Sequence, residues 1–597
     1  MADPRTLNEL FFGAMDRLGG RPAVLRRKQM GRWEDISGTA MLERVHDVSL
    51  GLRDLGIRAG DRVAVLSENR PEWAIADYAC LALRAADVPI YPTLPQKQIE
   101  YILRDSGAVA LFVSTTAQLG KVLEIRPQVP ALRHVIVFDD LAAVEGTLPF
   151  VDIAIRGRQA RERFPDWRAE ALSAGPDDLA TIIYTSGTTG DPKGVMLTHG
   201  NITSNVVCSC RVLPLTDQDE CLSFLPLSHI FERMVGHYTM LYCGVTISYA
   251  TSPDAVAAEM AEVRPTFMAS VPRLYEKIYA RVLDAAASGS PVKKRLFFWA
   301  KRSAETWLEY SLARRPVPKA VALKKQVADR LVFGKLKQRT GGRIRFFCSG
   351  GAPLNPEIAK FFHAAGLPIL EGYGLTETSP VISFNTFDNL KIGTVGRPIP
   401  GVEVRIADDG EILTRGPNVM VGYYNKPEAT KEAIDADGWF HTGDIGLLDG
   451  GGFLRITDRK KDLIVTAGGK NVAPQPIENM VKTSKFVSNC VMLGDRRKFP
   501  IMIVVPNLDR LKAWADHKGL IAPDERSLLA LPDVGAKMDR EVRKTLRDLA
   551  QFEIPKKLLL VPTDFSVEGG ELTPTLKVKR RVVERNYAAQ IEALYHD

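Results

Sequence analysis

The segment YTSGTTGDPKGV, residues 184–195, carries residue types that hold phosphate groups. It follows an apolar run and mixes small hydroxyl side chains with Gly187, Gly190 and Gly194 around Lys193. Glycines let the backbone approach a polyphosphate, hydroxyl and N–H groups donate to its oxygens, and a lysine adds positive charge. A solvent-exposed flexible loop has a similar composition. A Walker-type P-loop is excluded, because Gly194 follows the lysine where that motif needs Ser or Thr.

Seven further segments follow residues 184–195 along the chain. They are LPLSHIFER (225–233), VPRLYEKI (271–278), CSGGAPLNPE (348–357), EGYGLTET (371–378), GWFHTGD (438–444), DRKKDLIVTAGGKNV (458–472) and PTLKVKR (574–580). In this order they resemble the adenylate-forming superfamily, which includes acyl-CoA synthetases, luciferases and peptide-synthetase adenylation domains. The resemblance covers nearly the whole chain, and the form LPLSHIFER is similar to that of the long-chain fatty acid branch.

This resemblance implies an ATP-dependent long-chain fatty acid–CoA ligase. Such an enzyme joins the acid to AMP with release of pyrophosphate and then transfers the acyl group to coenzyme A. Its implied cofactors are ATP and Mg²⁺, with CoA as co-substrate, and its partners are the fatty acid, ATP and CoA. The sequence does not determine the preferred chain length or the oligomeric state.

The resemblance also assigns the nucleotide to particular residues. Thr188 and Glu377 would bind Mg²⁺, because a hard cation prefers oxygen ligands, and Thr376 would meet the α-phosphate. Asp444 would accept hydrogen bonds from the ribose hydroxyls, and Tyr373 would form a wall of the adenine slot. The full implied ATP- and AMP-binding set is Thr185, Ser186, Gly187, Thr188, Thr189, Gly190, Lys193, Gly350, Gly351, Ala352, Glu371, Gly372, Tyr373, Gly374, Thr376, Asp444, Arg459 and Lys577.

Catalysis is assigned to Thr376, Glu377, Lys461 and Lys577. Lys577 matches the family lysine that reaches the α-phosphate region during adenylation. The family more often has Ser-Gly before this lysine, whereas this chain has Thr-Leu, so Lys579 is the alternative.

Coenzyme A is assigned to the loop AGGKN, residues 467–471. Lys461 occupies the family's hinge position, and rotation there would exchange Lys577 for this loop. Gly468, Gly469 and Lys470 would then bind CoA, since a side chain at either glycine would obstruct the pantetheine channel.

The acyl group is assigned to His229 and Phe231 in LPLSHIFER. A lone histidine in an apolar run is usually a packed core residue. The assignment therefore depends on the resemblance, in which this position lies beside the substrate carboxylate and the mouth of the acyl tunnel.

Alternating strands and helices must position these segments. Apolar runs at 62–69, 110–114, 134–138 and 181–185 predict strands, and a helix is predicted to begin at Pro71. Such alternation favours an α/β fold with parallel sheets covered on both faces. Residues 391–456 change to short strands punctuated by Gly and Pro, which predicts a β-rich subdomain.

The chain is too long for one core, so we expect two domains. Residues 1–457 would form a large N-terminal AMP- and acyl-binding domain of parallel and mixed sheets flanked by helices, including the β-rich subdomain. Residues 458–597 would form a small, mobile α+β domain.

A basic insertion at about 285–342 interrupts the large domain. Residues 281–345 contain seventeen Lys and Arg against four acids, in a chain whose net charge is +8. Aromatic residues among these cations are typical of an interfacial surface that meets anionic lipid. The alternative, a solvated helical insertion whose aromatics pack on the domain, stays open. Nucleic acid is not an expected partner, since no nucleic-acid-binding module accompanies the patch.

The composition is that of an ordinary enzyme, with 45% apolar and 25% charged residues. No targeting or membrane-spanning stretch is evident, so we expect a cytoplasmic protein, with peripheral association at the inner face of the membrane as an option. Seven scattered cysteines are interpreted as reduced packing residues and not as a disulfide framework or zinc site.

Three other functions stay open. A fatty acyl-AMP ligase would deliver the adenylate to a carrier protein, and it typically carries an extra insertion near the domain linker that is not evident here. A luciferase-like oxygenase would need a luciferin pocket. A catalytically inactive lipid-binding scaffold would not need the intact polar residues of the nucleotide site.

Overall fold

The computed structural model describes residues 3–140, 144–185, 191–467, 470–547, 549–566, 569–573 and 578–596. A first large sheet has, within these ranges, the strand order Gly422–Tyr423, Lys193–Thr198, Leu179–Thr185, Ala86–Ile90, Arg62–Leu66, Ala110–Val113, His134–Val137, Leu148–Pro149. Neighbouring strands are parallel from Leu179–Thr185 onward and antiparallel at the other edge.

A second large sheet is also mainly parallel. Its described strands lie in the order Arg397–Pro398, Val381–Phe384, Ile369–Gly374, Phe346–Ser349, Phe267–Ser270, Glu220–Ser223, Thr246–Tyr249, Leu25–Gln29, Arg32–Ile36. Strands buried on both faces need continuous apolar sequence. Ala86–Ile90 in the first sheet and Phe346–Ser349 in the second are buried at every residue.

Smaller sheets follow along the chain. An antiparallel sheet has the order Glu403–Ile406, Glu411–Arg415, Phe440–Leu448, Leu454–Arg459. It corresponds to the β-rich region predicted at residues 391–456. After it come the pair Ile464–Val465 and Asn471–Val472, and a sheet of Val487–Leu493, Ile501–Pro506 and Lys557–Leu560.

Helices cover the sheets. The described α-helices are Leu7–Leu18, Gly38–Asp54, Pro71–Ala82, Gln96–Ser106, Thr116–Ile125, Phe150–Ala160, Trp167–Leu172, His199–Cys210, Thr239–Cys243, Val256–Val263, Pro272–Ala287, Pro291–Leu312, Lys319–Ala328, Gly334–Arg339, Pro356–Ala364, Pro427–Ala433, Pro474–Val481, Leu508–His517, Glu525–Ala530, Pro532–Thr545, Arg580–Asn586 and Ala588–His596. None of these described helices combines the length and hydropathy needed to cross a bilayer.

The main core lies between the two large sheets. One apolar cluster contains Val65 and Phe112 of the first sheet together with Ile247 and Phe346 of the second. Separate clusters fill the outer faces beneath the covering helices. The helix Pro71–Ala82 is buried on nearly all sides, as expected of a helix that is apolar all round. The predicted α/β class is confirmed.

Residues after about 460 have cores of their own. Buried apolar residues from Ile464 to Ile591 form two clusters that contain no residue of the preceding sheets. Polar contacts connect this part to the rest: Arg273 donates to the Ser488 carbonyl at 3.2 Å, and Arg510 forms an ion pair with Asp284. The boundary at 457/458 lies near the end of the strand Leu454–Arg459 and stays a prediction.

A buried guanidinium connects the first sheet to the LPLSHIFER segment. Arg233 has no exposed surface, and its Nη2 lies 2.5 Å from Asp77 Oδ1 and 3.1 Å from Asp87 Oδ2. It also donates to Thr181 Oγ1 at 2.9 Å and to the Tyr238 hydroxyl at 2.8 Å. These partners lie on a helix, two strands and the π-helix Glu232–Tyr238.

Replacing this guanidinium should destabilise the fold. We expect Arg233→Met to lower the free energy of unfolding by about 3–5 kcal/mol, because the carboxyl groups of Asp77 and Asp87 would stay buried without the guanidinium that pairs with them. Urea unfolding of the full chain measures the loss. Arg163→Met is the control, since the side chain of Arg163, which forms an ion pair with Asp54 at 2.7 Å, is 58% exposed and its loss should change stability by at most about 1 kcal/mol. Equal unfolding midpoints for the two variants would contradict the role of the buried cluster.

Candidate active site

A β-hairpin positions the predicted phosphate loop. Its strands Leu179–Thr185 and Lys193–Thr198 pair antiparallel, with Thr185 opposite Lys193. The predicted residues Ser186, Gly187, Thr188, Thr189 and Gly190 lie outside the described residues. The hairpin therefore places Thr185 and Lys193 side by side at the base of the loop.

Tyr423 connects the hairpin lysine to the predicted metal ligand. The Lys193 ammonium lies 4.7 Å from the centroid of the Tyr423 ring. The hydroxyl of the same tyrosine donates to Glu377 Oε1 at 2.9 Å. Tyr423 is absent from the predicted site, because nothing in the surrounding sequence GYYN distinguishes it from a packed tyrosine. The structure thus places Lys193 and Glu377 next to the same side chain, that of Tyr423.

Glu377 belongs to the short 3-10 turn Thr376–Thr378, just beyond the strand Ile369–Gly374. Its carbonyl accepts a hydrogen bond from the Met420 N–H at 2.8 Å, which fixes the turn against the segment leading to Tyr423. The described residues contain no cluster of three or more His, Cys, Asp or Glu that could hold a metal ion. One carboxylate suits Mg²⁺, which proteins usually hold with one or two carboxylates while substrate phosphates supply other ligands.

Three residues of the predicted nucleotide set meet at Asp444. This residue lies opposite Arg459 in the antiparallel sheet, and Arg459 Nε donates to its Oδ1 at 2.9 Å. The Tyr373 hydroxyl donates to Asp444 Oδ2 at 2.7 Å. The pKa of Arg459 is raised, chiefly by the Asp444 charge. Since each carboxylate oxygen can accept a second hydrogen bond, Asp444 retains acceptor capacity for two hydroxyl groups.

The predicted adenine residues lie where two parallel strands end. Gly350, Gly351 and Ala352 follow the strand Phe346–Ser349, whose last residue is paired with Glu371. Ligands of open α/β sheets bind at such carboxyl ends. Burial raises the pKa of Glu371 to about 8, so this carboxyl group is mostly protonated at neutral pH.

Three glycines permit close approaches here. A Cβ at Gly374 would lie 1.7 Å from the Pro380 carbonyl oxygen, so no side chain fits. A Cβ at Gly350 would lie 3.0 Å from Phe231 Cζ, so the ring predicted to contact the acyl group packs against the predicted adenine wall. Gly372 faces the Phe384 ring in the same way.

The backbone after the second sheet's strand Glu220–Ser223 fixes the orientation of His229. The Phe231 N–H donates to His229 Nδ1 at 3.1 Å, so the proton of the neutral ring is on Nε2. The His229 ring lies 6.4 Å from that of Tyr91 between centroids. The adjacent Glu232 is buried in the π-helix, and burial raises its pKa to about 8.

The predicted hinge lies beside a buried acid. Lys461 is exposed, whereas Asp458 is 1% exposed, and burial raises its pKa to about 7. The charge of Arg580, in PTLKVKR, partly opposes this shift, and Arg580 itself forms an ion pair with Glu478 at 2.6 Å. Asp458 and Arg580 are not in the predicted site set, because their proximity follows from folding of the last domain.

The remaining predicted residues are only partly described. Lys470 is exposed, and its ammonium lies 5.9 Å from the centroid of the Phe552 ring. Gly468, Gly469 and Lys577 lie outside the described residues. Lys579 is described, and burial lowers its pKa.

The sheets and the polar groups at their strand ends define a nucleotide-binding α/β enzyme. The family model described as AMP-binding enzyme matches residues 11–424, and that of the AMP-binding enzyme C-terminal domain matches residues 461–597. The chain belongs to the AMP-binding enzyme family.

Relatives match over most of their length. The long-chain-fatty-acid--CoA ligase FadD15 of Mycobacterium bovis is 39% identical over 96% of this chain and 94% of its own. Long chain acyl-CoA synthetase 6, peroxisomal, of Arabidopsis thaliana is 37% identical over 92% of this chain and 79% of its own. The solved anthranilate CoA ligase AuaEII, in complex with anthranoyl-AMP, has a TM-score of 0.75 at 20% identity and 99% coverage of both chains, and so shares the fold.

The buried acid beside the hinge predicts a pH effect on stability. The folded-state pKa of Asp458 is above its ordinary value of 3.8, so its contribution to stability is lost as pH rises towards about 7. Asparagine does not titrate. The unfolding free energy of Asp458→Asn minus that of the unchanged protein should therefore be about 2–3 kcal/mol higher at pH 8 than at pH 5. Unfolding at both pH values, with the exposed Asp408→Asn as control, measures this. A difference that does not change with pH would contradict the raised pKa.

Proposed function

We propose that this protein converts a long-chain fatty acid into its CoA thioester, using ATP and passing through acyl-AMP. The observation that carries the proposal is the meeting of Tyr373, Asp444 and Arg459 beside the strand ends of a chain that shares 39% identity with a long-chain-fatty-acid--CoA ligase.

In the first step, the fatty carboxylate attacks the α-phosphorus of ATP and pyrophosphate leaves. Lys193 supplies positive charge at the base of the phosphate loop, and Asp444 with Arg459 holds the ribose. Glu377, with Thr188, would hold Mg²⁺, which supplies charge that offsets the leaving pyrophosphate. Thr376 and Lys577 contact the α-phosphate. The charge that builds on the phosphate oxygens is stabilised by groups already in place.

In the second step, the CoA thiol attacks the acyl carbonyl and AMP leaves. The C-terminal domain, residues 458–597, turns about Lys461 relative to residues 1–457, and brings Gly468, Gly469 and Lys470 to the site. Separate cores on the two sides of the hinge support this division. No residue forms a covalent intermediate.

Acyl transfer to a carrier protein instead of CoA is the nearest alternative. Both reactions release pyrophosphate, so pyrophosphate alone does not distinguish them. Mass spectrometry of the product, with palmitate, ATP and CoA supplied, does. Accumulated palmitoyl-AMP with no palmitoyl-CoA would overturn the proposed function.

Chain length should govern the specificity constant. Each buried methylene adds about 0.8 kcal/mol of transfer free energy, so acids that differ by several carbons should differ by orders of magnitude in kcat/KM until the tunnel is full. We expect palmitate to exceed acetate and benzoate in a CoA-dependent assay. Equal values for palmitate and acetate would contradict a long-chain substrate.

The two half-reactions should respond to different variants. Lys577→Ala removes charge needed while ATP is attacked, so pyrophosphate exchange should fall by about 100-fold or more while supplied palmitoyl-AMP still yields palmitoyl-CoA. Gly469→Leu should do the reverse, because its side chain obstructs only the pantetheine channel.

Lys579→Ala is the matched control for the lysine variant. If it abolishes exchange and Lys577→Ala does not, the catalytic role belongs to Lys579. If Lys577→Ala and Gly469→Leu each reduce both steps equally, the two-conformation mechanism is contradicted.

We further propose that the basic insertion holds the protein at an anionic lipid surface, at the inner face of the membrane. A groove of about 740 Å³ is lined by residues of the helices Pro291–Leu312 and Lys319–Ala328. Its charged lining residues are Lys294, Arg295, Arg302 and Lys324. Charge complementarity favours lipid phosphate as the occupant.

Some aromatic residues of this insertion pack on the domain, and others are exposed in the groove. Phe297 packs in the outer core near Phe361. Phe298 and Trp299 line the groove and are 44% and 37% exposed. One helix face thus anchors the insertion, while the other presents aromatic rings among cations, as interfacial helices do.

Vesicle binding tests this surface. Changing Lys294, Arg295, Arg302 and Lys324 to Gln should weaken co-sedimentation with phosphatidylserine vesicles by about 100-fold or more, since each cation contributes about 1 kcal/mol. Added salt should weaken binding by the unchanged protein. The control changes four exposed cations elsewhere, Arg156, Lys360, Lys431 and Arg496, to Gln. Equal binding by the two variants would contradict a specific surface.

A further inference from the structure

Two cysteines that are distant in sequence lie side by side at the ends of adjacent helices. Cys210 ends the helix His199–Cys210, and Cys243 ends the helix Thr239–Cys243. Their sulfur atoms are 3.1 Å apart. Both residues are partly exposed, unlike four of the other five cysteines. The interpretation of every cysteine as a packing residue is therefore incomplete.

The other cysteines lack this arrangement. Cys80, Cys221, Cys348 and Cys490 are buried. Cys208 is partly exposed and precedes Cys210 by two residues, which places it on the opposite side of the helix. There its sulfur lies 3.9 Å from the position of a Cβ added at Gly401. Cys208 is thus a matched neighbour that faces away from Cys243.

The surroundings make the two thiols unequal. The hydrogen bond shared with Cys210 lowers the pKa of Cys243, and the positive charge of Arg17 adds to this effect against burial. The same hydrogen bond raises the pKa of Cys210. Arg17 is held beside the pair because its Nη2 donates to the Tyr242 carbonyl at 2.6 Å. Cys243 is therefore the better nucleophile, and Cys210 is placed to react with it.

We propose that Cys210 and Cys243 form a reversible modification site at which a hydroperoxide oxidises two thiols to a disulfide. The Cys243 thiolate attacks one peroxide oxygen, the O–O bond breaks, and hydroxide or alkoxide leaves with the electron pair. The Cys210 sulfur then attacks the sulfenic acid of Cys243, an S–S bond forms, and water leaves. The two sulfurs lose two electrons in total, which the peroxide gains.

The position of the pair agrees with a regulatory modification and not with a catalytic one. The helix ending at Cys210 follows the hairpin of the predicted phosphate loop, and the helix ending at Cys243 continues the π-helix that begins at Glu232 within LPLSHIFER. Neither cysteine is among the residues assigned to the nucleotide, the acyl group or CoA. In a reducing compartment, disulfides are usually transient and redox-sensing. A cross-link here would join the ends of the helices His199–Cys210 and Thr239–Cys243.

The experiment uses the full-length protein and hydrogen peroxide. After exposure, free thiols are blocked with N-ethylmaleimide, and the digested protein is analysed by mass spectrometry. We expect a peptide pair linked through Cys210 and Cys243 that disappears completely after dithiothreitol treatment. This measurement needs no variant. If Cys210 and Cys243 stay fully alkylatable while Cys208 is oxidised, the proposal is overturned.

Variants test the order of the steps. Cys210→Ser should abolish the cross-link and leave a sulfenic acid on residue 243 that dimedone captures, whereas Cys243→Ser should lose both signals. Cys208→Ser is the matched control and should keep the cross-link at the level of the unchanged protein. Loss of the cross-link in Cys208→Ser, or a disulfide that includes Cys208, would contradict the assignment.

Discussion

The burial of Arg233 is the constraint on which the site geometry depends. A guanidinium without solvent must keep the carboxyl groups that pair with it, and here these belong to Asp77 and Asp87. Its hydrogen bond to Thr181 fixes the first strand of the hairpin that positions the predicted phosphate loop. The same arginine ends LPLSHIFER, so the residues assigned to the acyl group cannot move relative to that hairpin without separating buried charges.

The sheets could be predicted because burial imposes continuous apolar sequence on parallel strands. The runs at 62–69, 110–114 and 134–138 each contain a strand, and the helix begins at Pro71 as predicted. The residues of the nucleotide site could be assigned from the sequence only because the ordered motifs resemble a known superfamily. Tyr423 and the pair Cys210 and Cys243 could not be predicted, since a contact between distant residues leaves no local pattern.

The C-terminal part has separate apolar cores and contacts the large domain through polar groups. Its two apolar clusters contain no buried residue of the large sheets. The contacts named above that join it to the large domain are polar and partly exposed. Polar contacts of this kind exchange readily with water, so changing them costs less than opening an apolar core. Sequence composition indicated a new domain near residue 458, but not that Asp458 would be buried close enough to Arg580 for the two charges to interact.

Burial also sets the charge of two acids near the predicted site. Glu232 and Glu371 are buried near the acyl and adenine residues, and burial raises the pKa of each to about 8. At neutral pH both are mainly uncharged, so neither repels the polyphosphate of ATP. Asp444 instead has the guanidinium of Arg459 as a partner, and Glu377 receives a hydrogen bond from Tyr423. The proposed site thus assigns ribose to Asp444 and the metal to Glu377, each of which has a side-chain partner in the structure, and assigns phosphate to Lys193.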